Sequence, residues 1–545
     1  MTLPWSCRQI RPGGDKNCEQ FRYDGYSPTR NTKYEDVGPE ISRPRREKLP
    51  KFRDADQEAL QPNCDQTLPE WRTRAPLKGF VWLHATSRHS LNFYNNVAVS
   101  AFYSQSTGVS LGVLRGLVHR ALSDVIEDHA ALAACVVDEG TTSPYFVRLP
   151  QIDLEKSVRF IASRLIQNGS QPIAIKELDQ LLEEEHNQNF KSLNGVLPMW
   201  RVLIVHEPEP CSRFVVTFVY HHAICDGTSG LVFHRSFLTK LQKAARSPDS
   251  DRSTVDSIVR PSNKMLIPCL EDLHPLPISL RYLFKSLYSE FVAHPPRGLW
   301  TSIPITVDQS KRRSRYRSLY FSKDTTSSLI VICRSHRTSV TAAVQAMLAA
   351  AVLAELPADK YSTLRVDGAV SLRQWLPHDV VDEDSIGNWV SRYLEEHRRP
   401  NSSTTDAAAL FSWDEARRIR ATIEGELRKE GKDSHVALLR FAGNLHNFFR
   451  SKIGKPRDES FEFSNVGVFK TAPDQGDGLG PSWEIGKVVF SQSADVAGAP
   501  LEASLVTGAD GHLNIGFSWL EGVVDGNWVE RVMDSLGRLI RDSAN

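Results

Sequence analysis

Apolar residues recur with two different periods along most of the chain, and these periods predict a mixture of helices and strands. Leucines and valines repeat at helical spacing behind Ser110, a residue type that caps helix N-termini, so we predict an amphipathic helix over 110–128. The segments Trp200–His206 and 214–220 are instead rich in β-branched and aromatic residues, which favours buried strands. Because only a short break with two prolines separates them, we predict that they pair as a hairpin.

The remaining apolar segments predict the same two kinds of element in both halves of the chain. Further strands are predicted at 132–137, 145–149, 315–321, 364–372, 388–395, 461–469, 488–492, 502–506 and 512–520. Further helices are predicted at 176–190, 323–335, 339–356, 413–430, 434–451 and 527–542. The two halves share a kind of architecture without a residue-level repeat, and the mixture indicates an α/β fold.

Composition divides the chain into four regions. Residues 1–75 are rich in proline and in charges of both signs but poor in aliphatic side chains, which predicts an extended or disordered N-terminal arm. Periodicity then begins, and residues 76–245 are predicted to form a first α/β lobe. It is lost over 246–310, which indicates an interdomain crossover, and it resumes in a second lobe over 311–545.

One loop combines reactive side chains with a rigid support. His221 and His222 come where strand 214–220 ends, and Asp226 and Gly227 follow just before a helical pattern. A neutral histidine can take a proton from a hydroxyl and return it. Successive side chains after a strand alternate, so at most one of the two rings is expected to reach a given cavity. An aspartate can anchor such a loop, and a glycine can adopt a conformation that other residues avoid.

Two other interpretations of this loop are open. Cys225 offers a thiol nucleophile, but the sequence places no separate histidine and acid for it, which favours a buried spectator. A metal site built from His221, His222 and Asp226 would need ligands that converge from one side, and the alternation of the two rings opposes that arrangement.

Composition also narrows the expected partners and location. The 545 residues carry a formal net charge of +1, so the charge balance gives no indication of nucleic-acid binding. The 8 cysteines form no CxxC pair and no metal-ligand cluster, which fits a reducing compartment. The N-terminus has no signal-peptide pattern, and no window of about 18 uncharged apolar residues occurs. We therefore expect a cytoplasmic protein without a transmembrane segment.

The loop resembles the HHxxxDG signature of the CoA-dependent acyltransferase superfamily in the spacing of His221, His222, Asp226 and Gly227. That superfamily includes chloramphenicol acetyltransferase, plant BAHD enzymes, peptide-synthetase condensation domains and fungal alcohol acetyltransferases. Segments similar to the alcohol acetyltransferase branch are PMWRVLIV, SLRQWLP, SIGNWV and FSNVGVF, which begin at Pro198, Ser371, Ser385 and Phe463. Trichothecene O-acetyltransferases are among the fungal relatives of that branch. The resemblance covers residues 76–540, and the DFGWG motif of plant BAHD enzymes is absent.

The resemblance implies a fold and a pair of substrates. The fold is two chloramphenicol-acetyltransferase-like lobes, each a mixed β-sheet with flanking helices, with an active-site tunnel between them. Acyl-CoA, acetyl-CoA in the simplest case, would be the cosubstrate, with no permanently bound cofactor and no metal. The basic runs at 311–317 and 452–457 are open to two interpretations, contact with the CoA phosphates or solvated charge.

The resemblance also implies roles for single residues. His222 would be the general base, and Asp226 would be a structural residue paired with an arginine, for which Arg373 is the candidate. A buried bidentate pair of this kind would fix the loop. Residues implied to support the loop, to bind the oxyanion or to line the tunnel are His221, Gly227, Ser464 and Asn465.

The expected function is O-acyl transfer, most simply of an acetyl group, to a hydroxyl of a small molecule such as a fungal secondary metabolite or an alcohol. The protein is expected to act as a monomer. Two alternatives stay open at this point. One is a condensation-type enzyme that uses carrier-bound acyl groups, although no carrier or adenylation segment is present in the sequence. The other is a non-catalytic binding protein of the same fold, which the intact motif disfavours.

Overall fold

The structure is a computed structural model that describes residues 75–76, 79–141, 143–163, 171–191, 196–247, 256–292, 294–400, 404–471 and 482–544. The arm predicted at 1–75 lies outside the described residues except for its last position. The described residues form two sheet-containing lobes of mixed α/β architecture, which confirms the predicted fold class.

The first part of the chain builds the first lobe. Its strands are β1 Ala75–Pro76, β2 Val97–Val109, β3 Ala134–Val137, β4 Tyr145–Arg148, β5 Ile152–Asp153, β6 Val158–Ala162, β7 Trp200–His206 and β8 Cys211–Tyr220. Its helices are α1 Phe80–Ser90, α2 Leu111–Asp128, α3 Leu154–Ser157, α4 Gln171–His186 and α5 Gly227–Arg246. The segment that follows holds β9 Ile258–Val259, α6 Leu270–Leu273 and α7 Leu280–Phe291.

The rest of the chain supplies the second lobe and one strand of the first. The strands are β10 Ser314–Phe321, β11 Thr363–Ser371, β12 Val390–Arg398, β13 Phe461–Val468, β14 Glu484–Gln492, β15 Leu501–Thr507 and β16 Leu513–Leu520. The helices are α8 Lys323–Ser335, α9 Val340–Ala354, α10 Ala407–Leu410, α11 Trp413–Leu427, α12 His435–Leu438, α13 Leu445–Arg450 and α14 Gly526–Ala544.

Two large mixed sheets organise the lobes. The first-lobe sheet has the order β14-β2-β8-β7-β6, and β8 lies at its centre. The second-lobe sheet has the order β10-β16-β15-β13-β11-β12. Parallel pairing of β6 with β7 and of β13 with both β11 and β15 makes both sheets mixed. The predicted hairpin is present, since β7 and β8 pair antiparallel along their length.

Strand β14 is the exception to a simple division of the chain. The sequence assigned 488–492 to the second lobe, but β14 pairs antiparallel with β2 and becomes the edge of the first-lobe sheet. The periodicity of a buried strand does not reveal which sheet it will join. The chain-contiguous boundaries at 76–245 and 311–545 stay a prediction, and this strand crosses them.

Local sequence explains most of the elements. Helix α2 begins where predicted, because the Ser110 hydroxyl accepts a hydrogen bond from Val113 N at 3.3 Å. The long helix predicted at 434–451 is wrong: the structure has α12 and α13 instead. Gly443 lies between them with φ +66, a conformation that ends a helix.

The most apolar segment of the chain is a core helix. Nearly all of α9 is buried in the hydrophobic core of the second lobe. Among the described residues, no single helix is long and apolar enough to cross a membrane, and only the bent pair α8 and α9 reaches that threshold together by length and composition.

Candidate active site

The predicted loop lies at the end of the central strand of the first-lobe sheet. Strand β8 ends at Tyr220, helix α5 begins at Gly227, and the loop between them faces the second lobe. Tyr220 is buried, and its hydroxyl donates to the carbonyl oxygen of Asp226 at 2.9 Å. A polar loop at the end of a buried strand is held rigidly while its side chains stay open to a ligand.

Asp226 is fully buried and caps helix α5. Its Oδ1 accepts hydrogen bonds from Ser229 N at 2.8 Å and from the Ser229 hydroxyl at 2.9 Å. The second lobe reaches the same carboxylate, because Arg373 Nη2 donates to Oδ1 at 2.8 Å and Trp389 N donates to Oδ2 at 3.3 Å. In addition, Asp226 N donates to the Gly387 carbonyl at 2.9 Å. These bonds fasten the loop to the second lobe.

The predicted contact between Arg373 and Asp226 is present, but its geometry differs from the expected bidentate pair. Only Nη2 reaches the carboxylate. The other terminal nitrogen, Nη1, donates to the Ser385 carbonyl at 2.7 Å, and the guanidinium lies 4.6 Å from the centre of the Trp389 ring. Arg373 therefore ties together two segments of the second lobe and the loop.

His222 is half-buried, and one of its ring nitrogens is occupied. Nδ1 lies 3.0 Å from the carbonyl oxygen of Cys225, which can only accept a hydrogen bond. Nδ1 therefore carries the proton in the neutral ring, and Nε2 has a free lone pair. Among the described residues, none makes a hydrogen bond to Nε2. This tautomer is the one that a general base requires at Nε2.

Asn388 supports His222 from the second lobe. It is 2 % exposed, and its Nδ2 donates to the His222 carbonyl oxygen at 2.6 Å while lying 3.2 Å from His222 Nδ1. Within the described part of the chain, its Oδ1 has no hydrogen-bond partner. The Asn388 amide therefore holds the His222 backbone from the second lobe, whereas strand β8 supports it from the first lobe.

The surroundings of His222 favour its neutral form. Burial lowers the pKa of His222 to about 4, and the positive charge of Arg88 adds to this effect, while Asp226 opposes it. The link to Arg88 runs through Tyr94: the guanidinium lies 4.3 Å from the centre of the Tyr94 ring, whose centroid is 5.9 Å from that of His222.

The first histidine of the motif points to a different set of partners, as alternation predicts. His221 Nε2 lies 3.0 Å from Glu139 Oε1, and His89 Nδ1 lies 2.6 Å from Glu139 Oε2. His221 Nδ1 accepts a hydrogen bond from Ala223 N, and His89 Nε2 accepts one from Phe190 N. Burial opposes ionisation of Glu139, but the hydrogen bonds from His221 and His89 outweigh it and lower its pKa to about 2. Glu139 is therefore an anion that holds His221 in place.

His89, Glu139 and His221 are also the described residues whose spacing could hold a metal ion. The ligand atoms of a tetrahedral zinc site lie roughly 3.3 Å apart, given metal–ligand bonds of about 2.0 Å. The separation of 2.6 Å between His89 and Glu139 is instead a hydrogen-bond length, with a proton between the two atoms. The arrangement fits a hydrogen-bonded cluster better than a metal site.

The remaining predicted site residues are Gly227, Ser464 and Asn465. Gly227 does not adopt positive φ, so the conformational reason given for it is wrong. A Cβ there would lie 2.7 Å from Val466 Cγ1 and 3.1 Å from Phe490 Cζ, so the close packing of these side chains explains the glycine. Ser464 is buried on β13, and the Asn465 amide donates to Thr341 Oγ1 at 3.0 Å. Among the described residues, neither makes a hydrogen bond to the loop.

The other two candidates from the sequence are Cys225 and the basic runs at 311–317 and 452–457. Cys225 is buried, and burial raises the pKa of its thiol well above the ordinary value, so it does not provide a thiolate. In the basic runs, Arg315 and Arg317 bind Glu183 at 2.8 and 3.0 Å, while buried Arg457 donates to the Val496 carbonyl at 2.8 Å.

Comparison with known proteins identifies the family. The sequence profile of the family described as alcohol acetyltransferase matches residues 79–536. The chain is 36 % identical over 466 residues to the probable alcohol acetyltransferase crmB of Aspergillus fumigatus, a match that covers 84 % of this chain and 97 % of that protein. The chain belongs to the alcohol acetyltransferase family. A second relative, the probable alcohol acetyltransferase FCK4 of Fusarium pseudograminearum, is 23 % identical over 83 % of this chain and 91 % of its own length.

Solved structures agree at the level of the fold. The trichothecene 15-O-acetyltransferase TRI3 from Fusarium sporotrichioides superimposes with a TM-score of 0.64 at 13 % identity, over 86 % of this chain and 95 % of TRI3. The first condensation domain of the calcium-dependent antibiotic synthetase gives 0.54 at 14 % identity, over 86 % of this chain and 96 % of that domain. The predicted resemblance to acyltransferase and condensation folds is thus confirmed.

Membership of the alcohol acetyltransferase family makes the chain an acyltransferase of groups other than aminoacyl groups. It also implies an acyl-CoA cosubstrate and a hydroxyl acceptor. The partners of the motif that the sequence did not assign are His89, Glu139, Arg88, Tyr94 and Asn388. Asn388 lies within a segment already recognised as similar to the family, which was the one available signal; the other four are far from the loop in sequence.

Proposed function

We propose that the protein transfers an acetyl group from acetyl-CoA to a hydroxyl of a small molecule, with His222 as the general base. The observation that carries this proposal is the free Nε2 of a neutral His222 ring whose Nδ1 is held by the Cys225 carbonyl at 3.0 Å. A base that is neutral over the working pH range and fixed in one tautomer is suited to accept a hydroxyl proton.

The reaction would proceed by direct transfer in a ternary complex. His222 Nε2 takes the proton of the acceptor hydroxyl as the oxygen attacks the thioester carbonyl, so that a C–O bond forms. The C–S bond then breaks, the ester is released, and the proton on His222 passes to the departing CoA thiolate. This sequence needs no acyl-enzyme. Ser464, which lies on the face of the second-lobe sheet turned towards the first lobe, is our candidate for a donor to the oxyanion.

The other motif residues would keep the base in position. Asp226 and Arg373 tie the loop to the second lobe, and Glu139 holds His221 behind it. None of these groups needs to touch the reacting atoms. Their contribution is the alignment of Nε2 with the acceptor oxygen, on which a proximity-based rate enhancement depends.

The names of the relatives support an alcohol acceptor. Two relatives are described as probable alcohol acetyltransferases, and TRI3 acts at an oxygen of a trichothecene. By analogy we propose a hydroxylated secondary metabolite or alcohol as the acceptor. We also propose that the protein is a monomer in the cytoplasm.

The His222→Ala variant tests the proposed role of the base. We expect thiol release to fall by about 10²- to 10⁴-fold, which is the contribution of general-base catalysis, while the affinity for acetyl-CoA is kept. His294→Ala is the matched control, since His294 is exposed and outside the site. Near-normal turnover by His222→Ala would contradict the mechanism. Loss of acetyl-CoA binding together with turnover would point to a structural role for His222.

A further inference from the structure

The second-lobe sheet turns a row of three carboxyl groups towards the first lobe. The register pairs Asp367 with Glu462 across β11 and β13, and Glu462 with Glu502 across β13 and β15. Residues directly paired on neighbouring strands lie on the same face of a sheet. The alternate positions, such as Phe461 and Leu501, pack on the opposite face in the second-lobe core. We call Asp367, Glu462 and Glu502 the acidic row.

A chain of direct contacts connects this row to His222. Glu502 Oε1 accepts a hydrogen bond from Asp495 N at 2.8 Å, and Asp495 Oδ2 binds Arg88 Nη2 at 2.7 Å. Arg88 lies over the Tyr94 ring, which is next to His222. The acidic row is therefore part of the surroundings of the base and not a separate surface patch.

Solvent reaches this region although the region is deep in the protein. His84, His222 and Glu462 all keep part of their surface accessible. Burial nevertheless lowers the pKa of His84 well below the ordinary value and, with the neighbouring Asp367, raises that of Glu462 to about 8. These side chains are therefore desolvated and still partly accessible in the region where the loop of the first lobe meets the second lobe.

The two arginines of this region, Arg88 and Arg392, are already paired with carboxylates. Arg88 binds Asp495, and Arg392 Nη1 binds both Asp367 Oδ2 at 2.5 Å and Glu459 Oε1 at 3.0 Å. Among the described residues, Glu462 has no ion pair.

Glu502 adds an independent sign of a missing partner. Its side chain is 1 % exposed, and its Oε2 has no hydrogen-bond partner in the described part of the chain. A buried carboxyl oxygen without a donor costs free energy, so a ligand that supplies a donor there gains affinity. Among the described residues of this region, Glu462 and Glu502 are thus two carboxyl groups without a cationic partner, and burial raises the pKa of both, which disfavours their ionised forms as long as no cation is bound.

We propose that Glu462 and Glu502 select the acceptor, and that the acceptor is a small alcohol that also carries a protonated amine. This inference rests on the proposed function. An ammonium group would supply both the positive charge and the hydrogen-bond donors that the two carboxyl groups lack.

The experiment compares three acceptors that differ at one end: an ω-amino alcohol, the diol of matching length, and the alkanol in which a methyl group replaces the ammonium. With acetyl-CoA as donor, we expect the wild-type kcat/KM to be about tenfold or more higher for the amino alcohol than for either of the others. Glu462→Gln and Glu502→Gln should each lower the ratio of amino alcohol to alkanol about tenfold. Glu484→Gln is the matched control, because Glu484 is an exposed glutamate on β14.

The outcomes separate this inference from the proposed function. Equal use of the diol and the amino alcohol, or a preference for the alkanol, overturns the inference while acetyl transfer stands. An unchanged ratio in folded Glu462→Gln and Glu502→Gln also overturns it. If no alcohol is turned over, calorimetric titration of His222→Ala with the three alcohols in the presence of acetyl-CoA still decides. Tighter binding of the amino alcohol supports the inference, and equal binding contradicts it.

Discussion

His222 owes its protonation state and its position to its own loop and to two other elements. The loop supplies the Cys225 carbonyl, α1 supplies Arg88, and the segment before β12 supplies Asn388. Burial and the like charge of Arg88 both disfavour the imidazolium, and together they outweigh the attraction of Asp226. The neutral ring of His222 is therefore available at pH values where an exposed histidine would be largely protonated.

The pH dependence of kcat/KM tests this arrangement. The base form of His222 exists above its pKa, so a pKa lowered to about 4 predicts activity that persists through pH 5 and falls only near pH 4. Arg88→Met removes the repulsion of the protonated ring, which should raise the pKa and move the acid limb to higher pH. Arg115→Met, at a surface ion pair with Glu155, should not move it. An acid limb near pH 6.5 in the wild type would contradict the account.

At this scale the sequence predicted the loop residues but not the residues that surround them. The motif identified His222 as the candidate base and Asp226 as its structural support, because their spacing is local. Arg88, Glu139 and Asn388 act only through tertiary contacts, and no periodicity or local motif relates them to the loop. For Gly227 the conformational reason was wrong, since its φ is not positive and a Cβ there would instead crowd Val466.

The strand–loop–helix unit formed by β8 and α5 is secured by the other lobe. Asp226 caps α5 and accepts hydrogen bonds from Arg373 and Trp389, so the helix N-terminus and the second lobe share one carboxylate. The Ser229 hydroxyl oxygen also accepts hydrogen bonds from Arg373 Nη2 at 2.8 Å and from Gly387 N at 3.1 Å. A change in this network should therefore affect the stability of the chain as well as the position of the base.

Arg373→Met should destabilise the protein by about 3–5 kcal/mol, because it leaves the carboxylate of Asp226 buried and unpaired. Adding Asp226→Asn should recover part of that loss by removing the uncompensated charge. Arg365→Met, on strand β11 just before Arg373, is the control, since its partially exposed pair with Glu396 should contribute about 1 kcal/mol or less. Chemical denaturation measures all of these values. A loss in Arg373→Met no larger than in Arg365→Met would show that the pair does not hold the loop.

Elements with a strong local signal were predicted well, and those that depend on distant partners were not. Strand β7 and helix α8 have the predicted bounds, because their apolar patterns are unbroken. Strand β2 was missed, since its second half is polar and pairs irregularly with β8 after Ser104. Helix α1 has no N-cap side chain and little amphipathic contrast, so no clear pattern along the chain indicates it.

For the whole molecule, the position of β14 in the first-lobe sheet has a structural consequence. Because β14 lies in the first-lobe sheet while its neighbours in the chain, β13 and β15, lie in the second, the two sheets are joined on one side of the region around His222. Gln492 at the end of β14 illustrates this, since it accepts a hydrogen bond from Tyr94 and donates one to Ser504 on β15. The periodicity of the sequence could predict two α/β lobes, but not this strand exchange.

The measurement that tests the central claim most directly is the product analysis of the purified protein with acetyl-CoA and a panel of small alcohols, by thiol release and mass spectrometry. We predict an acetyl ester and free CoA in equal amounts, with no mass added to the protein when the acceptor is omitted. Hydrolysis of acetyl-CoA without ester formation, transfer only from a carrier-bound acyl group, or a stably acetylated protein would contradict direct transfer from CoA to a hydroxyl.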